Sequence, residues 1–286
     1  MTLAAAAFIF RFAPSPNGRL HLGHAYSALL NAKLAARLHG RFLLRLEDID
    51  STRCTTALAQ HCLDDLAWLG LTWETPVRAQ SEHGEDYAAA LAALKKRGLV
   101  YPCFCTRREV AEASTQCDPD GAPLYPGTCK RLSAGEVAQR LAANTPHSWR
   151  LDMDKALVAA PGPHYYLRFA PDSMQEESVT ANPTRWGDAV LARKDIALPT
   201  SYHLSVVVDD ALQSITHVVR GADLEAATDL HVLLQTLLGL KTPLYHHHAL
   251  IEKNGDKLAK SKGGESLEDL RARGVTAREV REMVGM

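Results

Sequence analysis

Arg11-Phe-Ala-Pro-Ser-Pro-Asn-Gly-Arg-Leu-His-Leu-Gly-His24 is the stretch whose reading decides the fold. An apolar strand at residues 8–13 empties into a Pro/Gly turn at 14–18. A helix over 24–39 follows, closed by Gly40. A helix start attracts anions, because its first N–H groups lack partners within the helix and the macrodipole turns its positive end toward them. His21 and His24 lie three apart and can face one ligand, and Gly23 lets a flat ring or a phosphate approach the backbone. Standing alone, two such histidines are more often capping or surface groups.

Outward from this turn, an apolar run at 42–46 ends in the acidic cluster Glu47-Asp-Ile-Asp50, and helices are expected at 56–69 and 85–97, the latter stopped by Gly98. Strand, helix and strand with short links is the pattern of a parallel sheet. The expected class is therefore α/β: a Rossmann-type nucleotide-binding domain, with residues 1–100 as its first half. Residues 101–187 differ, holding four of the six cysteines, many Pro and Gly, and short strand-like pieces such as 164–169; they read as an inserted module. The βα texture returns over 188–251, with strands expected at 204–208, 216–219 and 245–251 and a helix at 223–238. Residues 252–286 form a lysine-rich loop and a short, charged helical extension.

Composition narrows the function. The 286 residues are 46% hydrophobic, enough for one large domain or two modest ones. Thirty-two Lys and Arg stand against 33 Asp and Glu, a net charge of −1, which excludes a broad basic surface gripping a long nucleic acid. Any such contact is expected to be small and local. No stretch approaches a membrane span. The first residues lack a basic segment and Arg11 interrupts their apolar run, so a flexible start is expected rather than a secretory signal. The cysteine pattern suits a reducing compartment, hence the cytoplasm.

A second motif, Lys257-Leu-Ala-Lys-Ser261, lies far downstream in a polar, glycine-flanked loop. Two lysines three apart can close over a polyphosphate and neutralise the charge that develops on a leaving group. Alone this string is weak; paired with the first motif it is not. Together they resemble the two signatures of class I aminoacyl-tRNA synthetases, His21-Leu-Gly-His24 and Lys257-Leu-Ala-Lys-Ser261. The stretches RFAPSPNGRLHLGHA, LLRLEDIDSTR, SYHLSVVVDD and VVRGADL resemble the glutamyl branch, over nearly the whole chain. Little follows Ser261, where full glutamyl synthetases carry a large anticodon-binding part. With the cysteine pattern, this is similar to the glutamyl-queuosine tRNA(Asp) synthetase family, in which glutamate is esterified onto the queuosine base of the anticodon.

The resemblance implies ATP with Mg2+ as a substrate, held by Pro14, His21, Gly23, His24, Lys257, Lys260 and Ser261. His21, His24, Lys257 and Lys260 are then the catalytic groups. It implies L-glutamate as the second substrate, the tRNA(Asp) anticodon loop as partner, and a monomer. Glutamate recognition is also readable chemically: a dianionic amino acid needs cations for its carboxylates and a carboxylate for its ammonium. Arg11, Arg220 and Glu47 each fall at or near a strand end, where open α/β sheets bind ligands. By resemblance Ala13, Ser15 and Tyr202 complete that pocket. Asp48 and Asp50 suit the site or a helix cap equally.

Cys103-Phe-Cys105 followed by Cys129 suits tetrahedral zinc in a structural site. The resemblance implies Tyr125 as fourth ligand. Cys117 lies between the pairs and thiolate binds zinc better than phenol, so both stay open, Tyr125 being preferred. Cys54 and Cys62 read as ordinary buried thiols, and His246-His-His248 as packing or nucleotide-contact groups rather than a metal site. Three rivals compete with the favoured function: a short tRNA(Glu)-charging enzyme, glutamylation of another acceptor, and a non-catalytic RNA-binding paralogue.

Overall fold

A computed structural model describes residues 8–194, 197–253, 256, 257 and 265–286, with backbone alone at 252, 253, 256 and 257. The first half runs β1 (Ile9–Phe12), α1 (Leu22–Arg37), β2 (Arg41–Leu46), α2 (Thr56–Trp68), β3 (Glu74–Ala79) and α3 (Gly84–Lys96). Next come β4 (Val100–Cys103), α4 (Arg107–Ala113), α5 (Ala134–Ala142), β5 (Ser148–Leu151), α6 (Met153–Ala159), β6 (His164–Phe169), β7 (Glu176–Ala181) and β8 (Val190–Ala192). The chain continues through α7 (Tyr202–Leu212), β9 (His217–Gly221), α8 (Ala227–Leu238), β10 (Leu244–His248), the strand pair β11 (Glu252–Lys253) and β12 (Asp256–Lys257), and α9 (Leu267–Ala272) and α10 (Ala277–Met283).

Seven strands form the central sheet in the order β3-β2-β1-β9-β10-β6-β7. All neighbours are parallel except β6 and β7. The chain winds outward from β1 to β3, then returns to place β9 on the other side of β1. That reversal leaves a crevice between the C-terminal ends of β1 and β9, the place where open α/β sheets bind ligands. The α/β expectation with a mostly parallel sheet is met.

Apolar residues alternate across the sheet as the period of two requires. Phe10, Phe42, Leu44 and Val219 pack with α1, α2, α9 and α10. Ile9, Leu43, Val218 and Tyr245 pack together in another cluster that includes Val232 of α8. Gly40, between α1 and β2, sits so close to the Phe8 carbonyl that a Cβ would collide with backbone, which fits the tight return from helix to strand.

Several expectations need correction. Residues 204–208 are helical, not a strand: they lie in α7, whose N-cap Ser201 accepts a hydrogen bond from the Leu204 amide. Leu204 through Asp210 are all buried, so no polar stripe marks the helical period. The segment expected as a separate insertion also contributes to the central sheet, because β6 pairs with β10 and β7 forms its edge. The cysteine-bearing part builds its own antiparallel sheet, in the order β4-β5-β8. Two short helices, each opened by a capping box, end the chain instead of one.

Candidate active site and cysteine cluster

On one face of the sheet the apolar rows turn cationic at their C-terminal ends. Ile9 gives way to Arg11, Leu43 to Arg45 and Val218 to Arg220, each two residues on and therefore on the same side. All three arginines are buried. Burial of a cation is costly without compensation, so what surrounds each one shows what it is for.

Arg11 and Arg45 share one acid supplied by α7. Asp210 Oδ1 accepts from Arg11 Nε at 3.0 Å and from Arg45 Nη1 at 2.8 Å, and Arg45 Nη2 reaches Glu47 Oε1 at 3.2 Å. Arg45 is wholly buried and also meets Asp209 at 3.7 Å. Burial pushes the Asp210 carboxyl up, but Arg11 and Arg45 outweigh it and hold the group below its ordinary range. Glu47 ends above its ordinary value, because burial exceeds the opposing pull of Arg45 and Arg11. Asp209 in turn accepts from Arg78 Nε at 2.7 Å, Gln80 Nε2 at 2.7 Å and the Tyr87 hydroxyl at 3.0 Å. Sequence reasoning missed Arg45, Asp209 and Asp210. The adjacent Asp pair inside an apolar run was the available signal, since buried acids demand cations.

Arg220 is 5% exposed, yet its hydrogen-bond partners are neutral. Its Nη1 donates to the Tyr202 hydroxyl at 3.1 Å, Nη2 to Thr228 Oγ1 at 2.8 Å, and Nε lies 3.4 Å from His247 Nε2. His231 Nδ1 is 3.4 Å from Nη1, and His203 Nδ1 lies 3.2 Å from His231 Nε2. Burial first, and then the charge of Arg220, lower the pKa of His203 to about 4 and that of His247 to about 2, and carry His231 well below its usual value. No carboxylate among the described residues forms an ion pair with Arg220. Tyr202 feels the charges of Arg220, Glu47, Arg11 and Asp210 at once, so it sits where the two cationic centres meet.

The turn after β1 is tied to β2, the Glu47 amide donating to the Pro14 carbonyl at 2.9 Å. His21 and His24 cap α1 reciprocally: His21 Nδ1 accepts from the Gly23 amide at 3.1 Å and His24 Nδ1 from the His21 amide at 3.2 Å. Their rings lie 3.9 Å apart. A Cβ on Gly23 would press on the His21 ring at 3.0 Å, so any side chain there would push the capping ring by a few tenths of an ångström. The capping reading of these histidines holds, and it fixes both rings at a helix start, where an anion is favoured. The C-terminal extension returns to this turn, with the Leu267 amide donating to the Leu20 carbonyl at 2.8 Å and Arg19 pairing with Glu268 at 3.0 Å. Of the lysine loop, the Lys257 side chain, Lys260 and Ser261 lie outside the described residues.

Asp50 does not cap α2, whose N-cap is Thr55; it holds Thr52 and Arg53, while Asp48 holds Ser81. Cys62 is buried as expected, and half-buried Cys54 lies 3.7 Å from Ser15 Oγ. In the histidine run, His246 packs on Phe169 and His248 on Tyr26, whereas His247 turns to Arg220.

A cleft of about 790 Å3 runs from Ser15, Glu47 and Tyr202 to Cys105, Tyr125 and Arg150. At its far end the sulfurs of Cys103, Cys105 and Cys129 lie within 4.8 Å of one another. Cys105 Sγ is 3.5 Å from Cys129 Sγ and 3.6 Å from the Tyr125 hydroxyl, which accepts from the Cys129 amide at 2.7 Å. Zn–S bonds of about 2.3 Å in a tetrahedron place sulfurs about 3.8 Å apart, so three thiols and one phenol oxygen fit that ion. Cys117 is exposed and stands outside the group. Burial pushes the Cys129 thiol up, but hydrogen bonds from Tyr125 and the Phe104 amide leave it below its ordinary value.

Residues 8–284 match the family of class I tRNA synthetases (E and Q), catalytic domain. The chain belongs to that family and is an aminoacyl-tRNA synthetase-like ligase. Within it, most of the similar relatives are named glutamyl-Q tRNA(Asp) synthetases. That of Rhodobacter capsulatus is 43% identical over 97% of this chain and 100% of its own length. That of Nocardia farcinica is 42% identical over 94% and 81%. One relative, from Nitrosococcus oceani, is named glutamate–tRNA ligase 2, at 36% identity over 92% of this chain and 56% of its own length. Among solved structures, the glutamate tRNA ligase of Elizabethkingia meningosepticum in complex with its amino acid aligns with a TM-score of 0.71 at 28% identity, over 90% of this chain and 52% of that one. No helix among the described residues is long and apolar enough to cross a membrane.

Proposed function

We propose that the protein activates L-glutamate with ATP and Mg2+ as glutamyl-adenylate and transfers the glutamyl group to the queuosine base in the anticodon loop of tRNA(Asp). It acts as a cytoplasmic monomer. The observation that carries the first half is Arg220, a buried cation with only neutral partners among the described residues, at the C-terminal end of a parallel strand. An anionic ligand completes such a site. The α-carboxylate must stay free to react, so Arg220 with Tyr202 receives the side-chain carboxylate. Glu47 takes the ammonium, and Arg11, Ala13 and Ser15 line the remainder.

Pro14, His21, Gly23 and His24 receive the nucleotide at the start of α1, and Lys257, Lys260 and Ser261 close over its phosphates. An α-carboxylate oxygen of glutamate attacks the α-phosphorus of ATP, the bond to the β-phosphate oxygen breaks, and magnesium pyrophosphate leaves. A hydroxyl of the queuosine cyclopentene ring then attacks the acyl carbon and releases AMP. No enzyme nucleophile takes part; rate enhancement comes from positioning and from cations facing the charge as it develops. Cys103, Cys105, Tyr125 and Cys129 would hold a structural zinc ion, which supplies a crosslink rather than a reactive centre.

The names of the relatives support the acceptor, as does the cleft continuing past the amino-acid end. The test combines labelled glutamate and ATP with tRNA(Asp) containing or lacking queuosine, and with tRNA(Glu). Label is expected on the queuosine-containing RNA alone, with glutamate-dependent pyrophosphate exchange in the absence of RNA. Charging of tRNA(Glu) would overturn the acceptor, and absence of exchange would overturn the adenylate.

A further inference from the structure

Arg150 stands on β5 at the acceptor end of the cleft, and the reaction above gives it no part. Its guanidinium carbon lies over the Tyr125 ring, 3.9 Å from the centroid, and both side chains line the cleft. One nitrogen, Nη1, donates to the Asp188 backbone carbonyl at 2.9 Å. Another, Nε, is buried and lacks a hydrogen-bond partner. Arg150 forms no ion pair with any described residue. Arg53 and Arg193 both pair with Asp50, and Lys130 with Asp152, Asp154 and Asp188, while Lys194 donates to the Phe104 and Cys105 carbonyls. Arg150 is thus a cation set into the cleft wall, braced by an aromatic face and short of an acceptor.

We infer that Arg150 binds a phosphodiester oxygen of the acceptor RNA, and that the Tyr125 ring, besides its place among the cysteines, orients it for that contact. The inference rests on an RNA acceptor entering this cleft. A guanidinium recognises a phosphate with its forked donors, and an aromatic face restricts the orientations the side chain must give up on binding. The phosphate belongs to RNA rather than ATP, because nucleotide binding is assigned to the start of α1.

The test measures pyrophosphate exchange without RNA and transfer to queuosine-containing tRNA(Asp) over a range of salt. Arg150→Ala is expected to leave the ATP and glutamate KM of exchange unchanged and to raise the tRNA KM on the order of tenfold or more. The slope of log affinity against log salt should fall by about 0.7, the loss of one phosphate contact on single-stranded RNA. Arg150→Lys, which keeps the charge but loses the forked donors and the flat group that rests on Tyr125, should keep exchange while raising the tRNA KM in the same direction by a smaller factor. Should Arg150→Ala lose exchange, Arg150→Gln, of similar size and no charge, replaces it with the same expectation. A raised ATP KM, or an unchanged tRNA KM and salt slope, overturns the inference. So does Arg150→Lys transferring as well as the unsubstituted protein. Failure of the unsubstituted protein to transfer at all refutes the proposed acceptor instead, which keeps the two claims distinguishable.

Discussion

Arg11 and Arg220 lie on adjacent strands, face the same side of the sheet, and are almost equally buried at 4% and 5% exposure. Their surroundings are opposite. Arg11 is balanced within the fold by Asp210, itself shared with Arg45, which continues to Glu47. Arg220 has a hydroxyl on either side and histidines kept neutral around it. A buried charge with its counter-charge in place is part of the scaffold; one without it is a receptor. On the function proposed above, the difference means that the pocket is built before glutamate arrives on the Arg11 side and is completed by glutamate on the Arg220 side.

The largest expected effect breaks the receptor half. Arg220→Gln should lower kcat/KM for glutamate in pyrophosphate exchange by about 100-fold or more, because hydrogen bonds to a charged group contribute about 1.5–3 kcal/mol each. Stability in urea should stay within about 1 kcal/mol, since no opposite charge is stranded. A large loss of stability with glutamate affinity intact would make Arg220 a scaffold group and end the contrast.

Asp210→Asn attacks the scaffold half and should behave the other way. It removes the acid shared by two buried arginines, for which a loss of about 3 kcal/mol in urea unfolding is expected. The glutamate KM should rise about tenfold as Arg11 and Glu47 lose their fixed spacing, with the ATP KM unmoved. Unaltered stability would mean that the two arginines are compensated elsewhere.

The sequence made parts of this contrast legible and hid others. Arg11, Glu47 and Arg220 were readable because each follows an apolar run, and a charge at the end of a buried strand has few reasons to be there. The turn from Pro14 to His24 was readable from Pro, Gly and the helix start together. Arg45 was hidden inside what looked like a plain strand, and its acid was hidden by the error at 204–208. A helix buried on every side has no polar face, so its composition mimics a central parallel strand. Only its length and the N-cap Ser201 distinguish it. The edge strand β3 was missed because ETPVRA is largely exposed and carries a proline, and β4, β5 and β8 because they are too short for a pattern to emerge. The three thiols were placed together by their spacing alone, while Arg150 gave no signal until the fold set it over Tyr125.

The smallest expected effect sharpens the contrast through pH. His203 and His217 have pKa values of about 4 in the folded protein, against an ordinary 6.5. Between these values the unfolded chain binds more protons than the folded one, so stability falls as pH drops below about 6.5. Each such histidine contributes at most about 1.4 kcal/mol per pH unit. Burial alone lowers His217, whereas for His203 and His231 the charge of Arg220 adds to burial. Arg220→Gln therefore leaves His217 as it is and lets His203 and His231 rise part of the way, burial still holding them down. Urea unfolding at pH 7 and pH 5 should show a somewhat smaller loss on acidification in this variant than in the unsubstituted protein. A His217→Phe variant, which lacks the control histidine, should shrink the loss by a larger amount, because its whole contribution is removed, without touching glutamate affinity. If Arg220→Gln leaves the acid slope unchanged, the charge of Arg220 is not felt by its histidines. Burial then sets their pKa values by itself, and the contrast with Arg11 rests on glutamate affinity and urea stability alone.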